Sequence, residues 1–199
     1  MDLLIYVEEK NSRIEYIFNH IFHHVLGLNI SLTIDLEFFN NSNLSKIEYS
    51  RKRMSDSLFF EASDLLFEID IRKQDLTIFT YKKTKVFFES SNDSALPFDP
   101  FAASFYMLTR YEEYVSNATD KMGRFPASQS LAYAHDFLNI PVVDYWILYV
   151  KRKLHNHFPA IAFKKHTFQF INTIDVDNAF AYLEKGAFRA CGSFLKDVF

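Results

Sequence analysis

At 199 residues, with 49% hydrophobic and 24% charged side chains, the chain can bury a sizeable core, which excludes intrinsic disorder. A formal charge of −3 gives no electrostatic ground for binding nucleic acid or an anionic membrane, and a single cysteine, Cys191, excludes an intrachain disulfide framework. The first residues carry no basic region or long apolar run of a signal peptide, and no apolar stretch nears the ~20 residues that span a bilayer, so a soluble, cytoplasmic protein is expected.

Leu3 to Val7 reads as a short buried strand. A helix follows from Ser12 to Leu26, with Ser12 and Glu15 at capping-box spacing and Gly27 where a left-handed cap belongs. Ile14, Ile17, Phe18, Ile21, Phe22 and Val25 recur at helical period and form one apolar stripe. Leu28 to Leu36 reads as a second strand, and this β-α-β opening points to an α/β layer. The middle is strand-rich, with candidates at Lys46–Ser50, Leu58–Glu61, Leu65–Ile71, Leu76–Tyr81 and Val86–Glu89. Asp99-Pro100 opens a helix running to about Tyr114, with Asp as N-cap and Pro in the first turn. After a polar turn at Asp120–Arg124, a third helix spans Pro141 to His157, and Phe158-Pro159 ends it. A strand-like run from Phe168 then leads to Asp175 and Asp177, with a helix beginning near Asn178.

Three constellations bear on chemistry. On a helical wheel Glu112 falls beside Phe101, Phe105 and Leu108, and a carboxylate on an apolar stripe must be paired, hydrogen-bonded or protonated. An ion-pair network with Arg110, Arg124 or Lys121 is the simpler reading, a catalytic acid the other. His20 and His24 stand at a zinc-chelating spacing but lie off the apolar stripe, with no obvious third ligand in the sequence nearby. Asp175 and Asp177, two apart in an extended chain, point to one side and are able to share a divalent cation, one as ligand and one as proton acceptor. The same residues would also serve as a plain helix N-cap, and the residues alone leave these readings level. Nucleophile elbow, P-loop and dinucleotide fingerprint are all absent.

Thr173-Ile174-Asp175-Val176-Asp177 resembles the first motif of the polysaccharide deacetylases (carbohydrate esterase family four, the NodB-homology family), which normally reads Thr-Phe-Asp-Asp-Gly at the end of the first barrel strand. LPFDPFAASFYMLTRYEEY (96–114), GRFPASQSLAY (123–133) and Pro141 to Trp146 resemble an uncharacterised region that precedes the deacetylase domain in certain bacterial proteins. The resemblance implies an accessory domain over residues 1–165 and the truncated start of a deacetylase-like (β/α) barrel over 166–199. It implies Asp175 as catalytic base, Asp177 as metal ligand, zinc or another divalent ion as cofactor, and an N-acetylated glycan or polysaccharide as partner. The chain departs from the motif at Val176, which separates the aspartates, and carries no histidine after Asp177 to complete a metal site.

The expected architecture is therefore mixed α/β: an N-terminal β-α-β layer with a mixed sheet and three main helices, then the first strand and helix of an incomplete barrel. The expected function is the accessory portion of a metal-dependent carbohydrate N-deacetylase acting on N-acetylhexosamine polymers, inactive by itself. The alternative is a non-catalytic α/β binding or scaffold module. The apolar C-terminal segment is a candidate surface for homo-oligomerisation.

Overall fold

The computed structural model describes residues 2–165, 167–175 and 186–198. It divides into two compact units, Met1–Lys164 and Lys165–Phe199.

The first unit is built on four parallel strands: β1 (Asp2–Val7), β2 (Asn29–Thr33), β3 (Ser45–Ser50) and β4 (Leu58–Glu61), in the order β2-β1-β3-β4. Helix α1 (Ser12–Phe18) connects β1 to β2 and continues as wider π-helical turns over Asn19–Val25. Helix α2 (Leu36–Asn41) connects β2 to β3. Because β-strand side chains alternate, Leu3, Ile5 and Val7 face the α1 side while Leu4 and Tyr6 face Phe39 of α2. The sheet is thus wound on both faces, and its strands read as continuous apolar runs for that reason. What composition and period suggest as one mixed sheet is this all-parallel sheet plus a separate antiparallel pair, β5 (Phe79–Tyr81) and β6 (Thr84–Val86).

The apolar stripe of α1 is borne out: Ile14, Ile17, Phe18, Ile21 and Phe22 are all buried. Its cap sits one residue earlier than the capping-box spacing suggests, since Asn11 Oδ1 accepts from the Ile14 amide at 3.0 Å. Onto α1 packs α3 (Pro100–Leu108), and onto α3 packs α6 (Val142–His157). Phe101 of α3 meets Phe18, Phe22, Tyr49 and Phe60 at ring-centroid distances of 4.8–5.6 Å, so the core is mainly aromatic. Trp146 of α6 is buried against Phe87 and Phe98 and donates its indole N–H to the Lys85 carbonyl at 3.1 Å.

Four expected elements of the first unit differ, two of them at their ends: the Leu28–Leu36 strand stops at Thr33, where Asp35 caps α2, and the Val86–Glu89 strand is not formed, since β6 ends at Val86 and Glu89 makes only an isolated antiparallel bridge to Phe98. Leu65–Ile71 is not a strand: Asp64–Phe67 forms a 3₁₀ turn, which buries Leu65, Leu66 and Phe67 in succession where a strand would alternate them. The helix expected from Asp99 to Tyr114 breaks at Arg110, whose φ of 54° and ψ of 42° are left-handed, and restarts as α4 (Tyr111–Val115). A short helix α5 (Leu131–Ala134) follows, with Ser130 as its cap.

Gly27 ends the first helix with φ +70°, as its position predicts, and has a second constraint. A Cβ there would lie 2.6 Å from Lys164 Cβ and 3.3 Å from the Lys164 amide, which itself donates to the Leu26 carbonyl at 2.9 Å. Gly27→Ala is therefore expected to lose about 1–3 kcal/mol in urea denaturation, from left-handed strain plus a clash that only breaking this bond relieves. A loss below a few tenths would show that the 164 segment is free to shift.

In the second unit the described residues form one helix, α7 (Ala187–Val198), and residues 167–175 adopt no strand. The apolar alternation of Phe168, Phe170 and Ile174 fits an extended chain, but a strand needs a hydrogen-bonding neighbour, and among the described residues of this unit there is no second strand to supply one. Cys191 lies exposed on α7 and is not a core packing residue.

Candidate functional site

Asp175 lies in the exposed 167–175 segment, and Asp177 lies outside the described residues. Their convergence on a shared cation is therefore an expectation carried by the sequence. Among the described residues, no group of three or more histidine, cysteine, aspartate or glutamate side chains is placed to hold a metal ion. His20 and His24 share the outer side of the first helix. Burial, then the neighbouring His24, push the His20 imidazole down, against an opposing pull from Asp144.

The strand order gives the sheet a topological switch point between the carboxyl ends of β1 and β3, where α/β layers commonly seat ligands. Here its charges are consumed internally. Glu8 accepts from the Arg51 amide at 2.6 Å and pairs with the Arg51 guanidinium, which also meets Asp64 at 2.7 Å and covers the Phe67 ring at 4.2 Å. Glu48, fully buried on β3, is likewise saturated: it accepts from the hydroxyls of Ser50 and Ser55, each at 2.6 Å, and from the Met54 amide. These groups fasten the turn after β3.

The open site lies elsewhere. Two cavities of about 540 and 260 Å³ adjoin and share Tyr106, Glu112, Phe125 and Ser130 in their walls. The larger is completed by the Lys73–Leu76 loop, by Ser116 after α4 and by Gln129 before α5. Its central carboxylate owes its position to the break at Arg110, which separates Glu112 from the α3 stripe. Glu112 Oε2 accepts from the Leu131 amide at 2.7 Å, satisfying an orphan donor in the first turn of α5.

The expected ion pairs of Glu112 are not formed. Arg110 pairs with Glu113 and Arg124 with Asp120, because the break turns Arg110 toward Glu113 three positions on and the 120–124 turn closes on itself. Glu112 is half-buried and has no cation partner among the described residues. Burial raises its carboxyl above the usual range; the Leu131 amide works against this, and Glu113 adds to it. The Tyr106 hydroxyl beside it is also pushed up, by burial first and then by the charge on Glu112. No hydrogen bond to a described residue engages Glu112 Oε1 or the Tyr106 hydroxyl, and both residues line the cleft.

A family model described as a family of unknown function, DUF7033, matches residues 3–159. The chain belongs to DUF7033. No curated protein and no solved structure matches it. The DUF7033 match takes in all four strands of the parallel sheet except Asp2 at the start of β1, helices α1 to α6 and every residue of the cleft, and it stops short of Asp175 and Asp177. Of the cleft, sequence alone singles out Glu112 as an awkwardly placed acid. Tyr106 carries no such signal, since it reads as one more aromatic on a helix apolar on both sides. Among the described residues no helix is long and apolar enough to cross a membrane.

Proposed function

We propose that this chain is the leading, accessory portion of a cytoplasmic, metal-dependent carbohydrate N-deacetylase acting on N-acetylhexosamine-containing polysaccharide. The DUF7033 unit supports or positions substrate and holds no catalytic residue of its own. Asp175 is assigned the base and Asp177 the metal ligand, as the deacetylase-like motif implies. The observation that carries the reading is the segment before them: Phe168, Phe170, Ile171 and Ile174 are 75–92% exposed, in a strand-like pattern that ends on an acid. Apolar side chains in such a run call for cover, and the remaining strands of a barrel would provide it. A second copy of the chain is the other cover that this surface would accept.

Zinc takes four ligands, usually with histidine among them. The described residues supply one carboxylate here and no histidine, so they do not by themselves fit the ion, and no step is derived through it. In this reading the missing ligands follow in downstream sequence.

The test is acetate release from N-acetylglucosamine oligomers by the polypeptide extended through its natural downstream sequence, with and without added zinc. Zinc-dependent release is expected, and Asp175→Asn is expected to lower kcat by about 10²–10⁴-fold, the usual worth of a positioned proton acceptor. No release with zinc present, or full activity in Asp175→Asn, would favour the second reading, a non-catalytic binding module. That reading draws on the cleft at Glu112, which lies wholly within the DUF7033 unit.

A further inference from the structure

We propose that the cleft at Glu112 binds an amino-sugar residue, with the free Glu112 oxygen receiving the ligand's ammonium group and the surrounding polar side chains receiving its hydroxyls. The choice of a sugar to carry the amine rests on the accessory-domain reading; the choice of an amine rests on the charges around the site.

Among the described residues that line the two cavities, every charged group except Glu112 is offset by another. At the break before α4, Arg110 is held by Glu113. From the 73–76 loop, Lys73 and Asp75 bring opposite charges to the rim. From α3 comes the neutral Tyr106, and the side that carries Gln129, Ser130 and Leu131 brings no charge. The walls therefore sum to one uncompensated negative charge, on a half-buried carboxylate with an open oxygen. Such a group is costly until a cation reaches it. Among the described residues no group of three or more metal-ligating side chains gathers here, so a divalent ion lacks a protein ligand set, whereas an ammonium ion needs one carboxylate.

The remaining groups suit a polyol. Gln74 has its amide nitrogen engaged by Glu68 and the Arg72 carbonyl, leaving its oxygen for a ligand donor. Gln129, Ser116 and the Tyr106 hydroxyl add donors and acceptors, and Phe125 offers an apolar face for the C–H side of a ring. A volume of about 540 Å³ falls in the usual range of small-ligand sites.

The test is calorimetric titration of this chain, near neutral pH, with the tetramer of glucosamine and with its fully N-acetylated counterpart, which lacks the positive charge. The glucosamine tetramer is expected to bind at least tenfold more tightly. Glu112→Gln should abolish that preference, because its carbonyl keeps the Leu131 hydrogen bond and the fold but cannot pair with an ammonium. Gln129→Lys places a competing ammonium on the exposed wall, where folding is not at stake, and should weaken the glucosamine tetramer by about tenfold. Glu37→Gln, on the distant α2, should change nothing. Equal binding of the two tetramers, a preference for the acetylated one, or an undiminished preference in both cleft variants would overturn the inference. Acetate release by the extended polypeptide without any tetramer preference would sink this inference alone; a preference without acetate release would sink the accessory reading alone.

Discussion

Asp99→Ala is expected to cost about 4 kcal/mol of folding stability, and so about 8–16 °C in Tm, measured by urea and thermal denaturation. An exposed helix N-cap is worth only about 1 kcal/mol, and Asp99 is more than that. Its carboxylate is fully buried. One oxygen accepts from the amides of Phe101 and Ala102 at 2.9 and 3.0 Å, closing the first turn of α3. The other accepts from the Tyr49 hydroxyl and the Ser63 amide, both at 2.8 Å, and from the Ser63 hydroxyl at 3.1 Å. Burial pushes the carboxyl up while these donors pull it down, so the site tolerates the acid only because five hydrogens point at it. Alanine would leave those buried donors unsatisfied at once, each at about 1–3 kcal/mol before relaxation. Asp99→Asn keeps one acceptor but turns an NH₂ group toward other donors, so an intermediate loss is expected. A loss under 1 kcal/mol for the alanine variant would reduce Asp99 to an ordinary cap.

The consequence reaches the cleft. Asp99 ties β3, the 62–64 turn and α3 together, and Tyr106 rides on α3 two turns later. A variant that frays the start of this helix should also loosen the Tyr106 wall and weaken ligand binding.

Much of this fold is legible in the sequence because local chemistry and tertiary need agree. β4 spans Leu58–Glu61 as its apolar run suggests, and the Asp99-Pro100 start of α3 holds. The start of α2 is a miss: Leu28–Leu36 reads as one strand because its apolar run continues, but β2 ends at Thr33 and Asp35 caps a helix instead, accepting from the Phe38 amide at 2.9 Å. The break at Arg110 was not readable. Neither glycine nor proline marks it, and a left-handed arginine is held by its surroundings: the Thr109 hydroxyl donates to the Phe105 carbonyl at 2.7 Å, and the Glu113 amide to the Arg110 carbonyl at 2.9 Å. Once that break is missed, every helical-wheel position after it is rotated, and Glu112 is assigned to the wrong neighbours. The cleft itself joins residues 73–76 to residues 106–134, a meeting that no short window of sequence contains.

Phe101→Ala should remove about 3–5 kcal/mol, the range for emptying an aromatic site in a packed interior. The ring is fully buried and makes edge contacts with Phe18, Tyr49 and Phe60 and a tilted one with Phe22, so it fills the space between the first helix and two strands at once. Those neighbours belong to regular elements fixed by the parallel ladder, and they cannot all close over the void. Phe101→Leu should recover more than half of the loss by restoring volume without the ring edges. The two α3 variants should not add. Asp99 fixes where the helix begins, partly through the Phe101 amide, and Phe101 fixes which side of it faces the sheet. Once either is gone, the other constrains a helix already displaced, so the double variant should fall short of the summed losses by 1 kcal/mol or more. Strict additivity would mean that cap and ring act independently, and that the position of α3, with the Tyr106 wall it carries, is set by α6 instead.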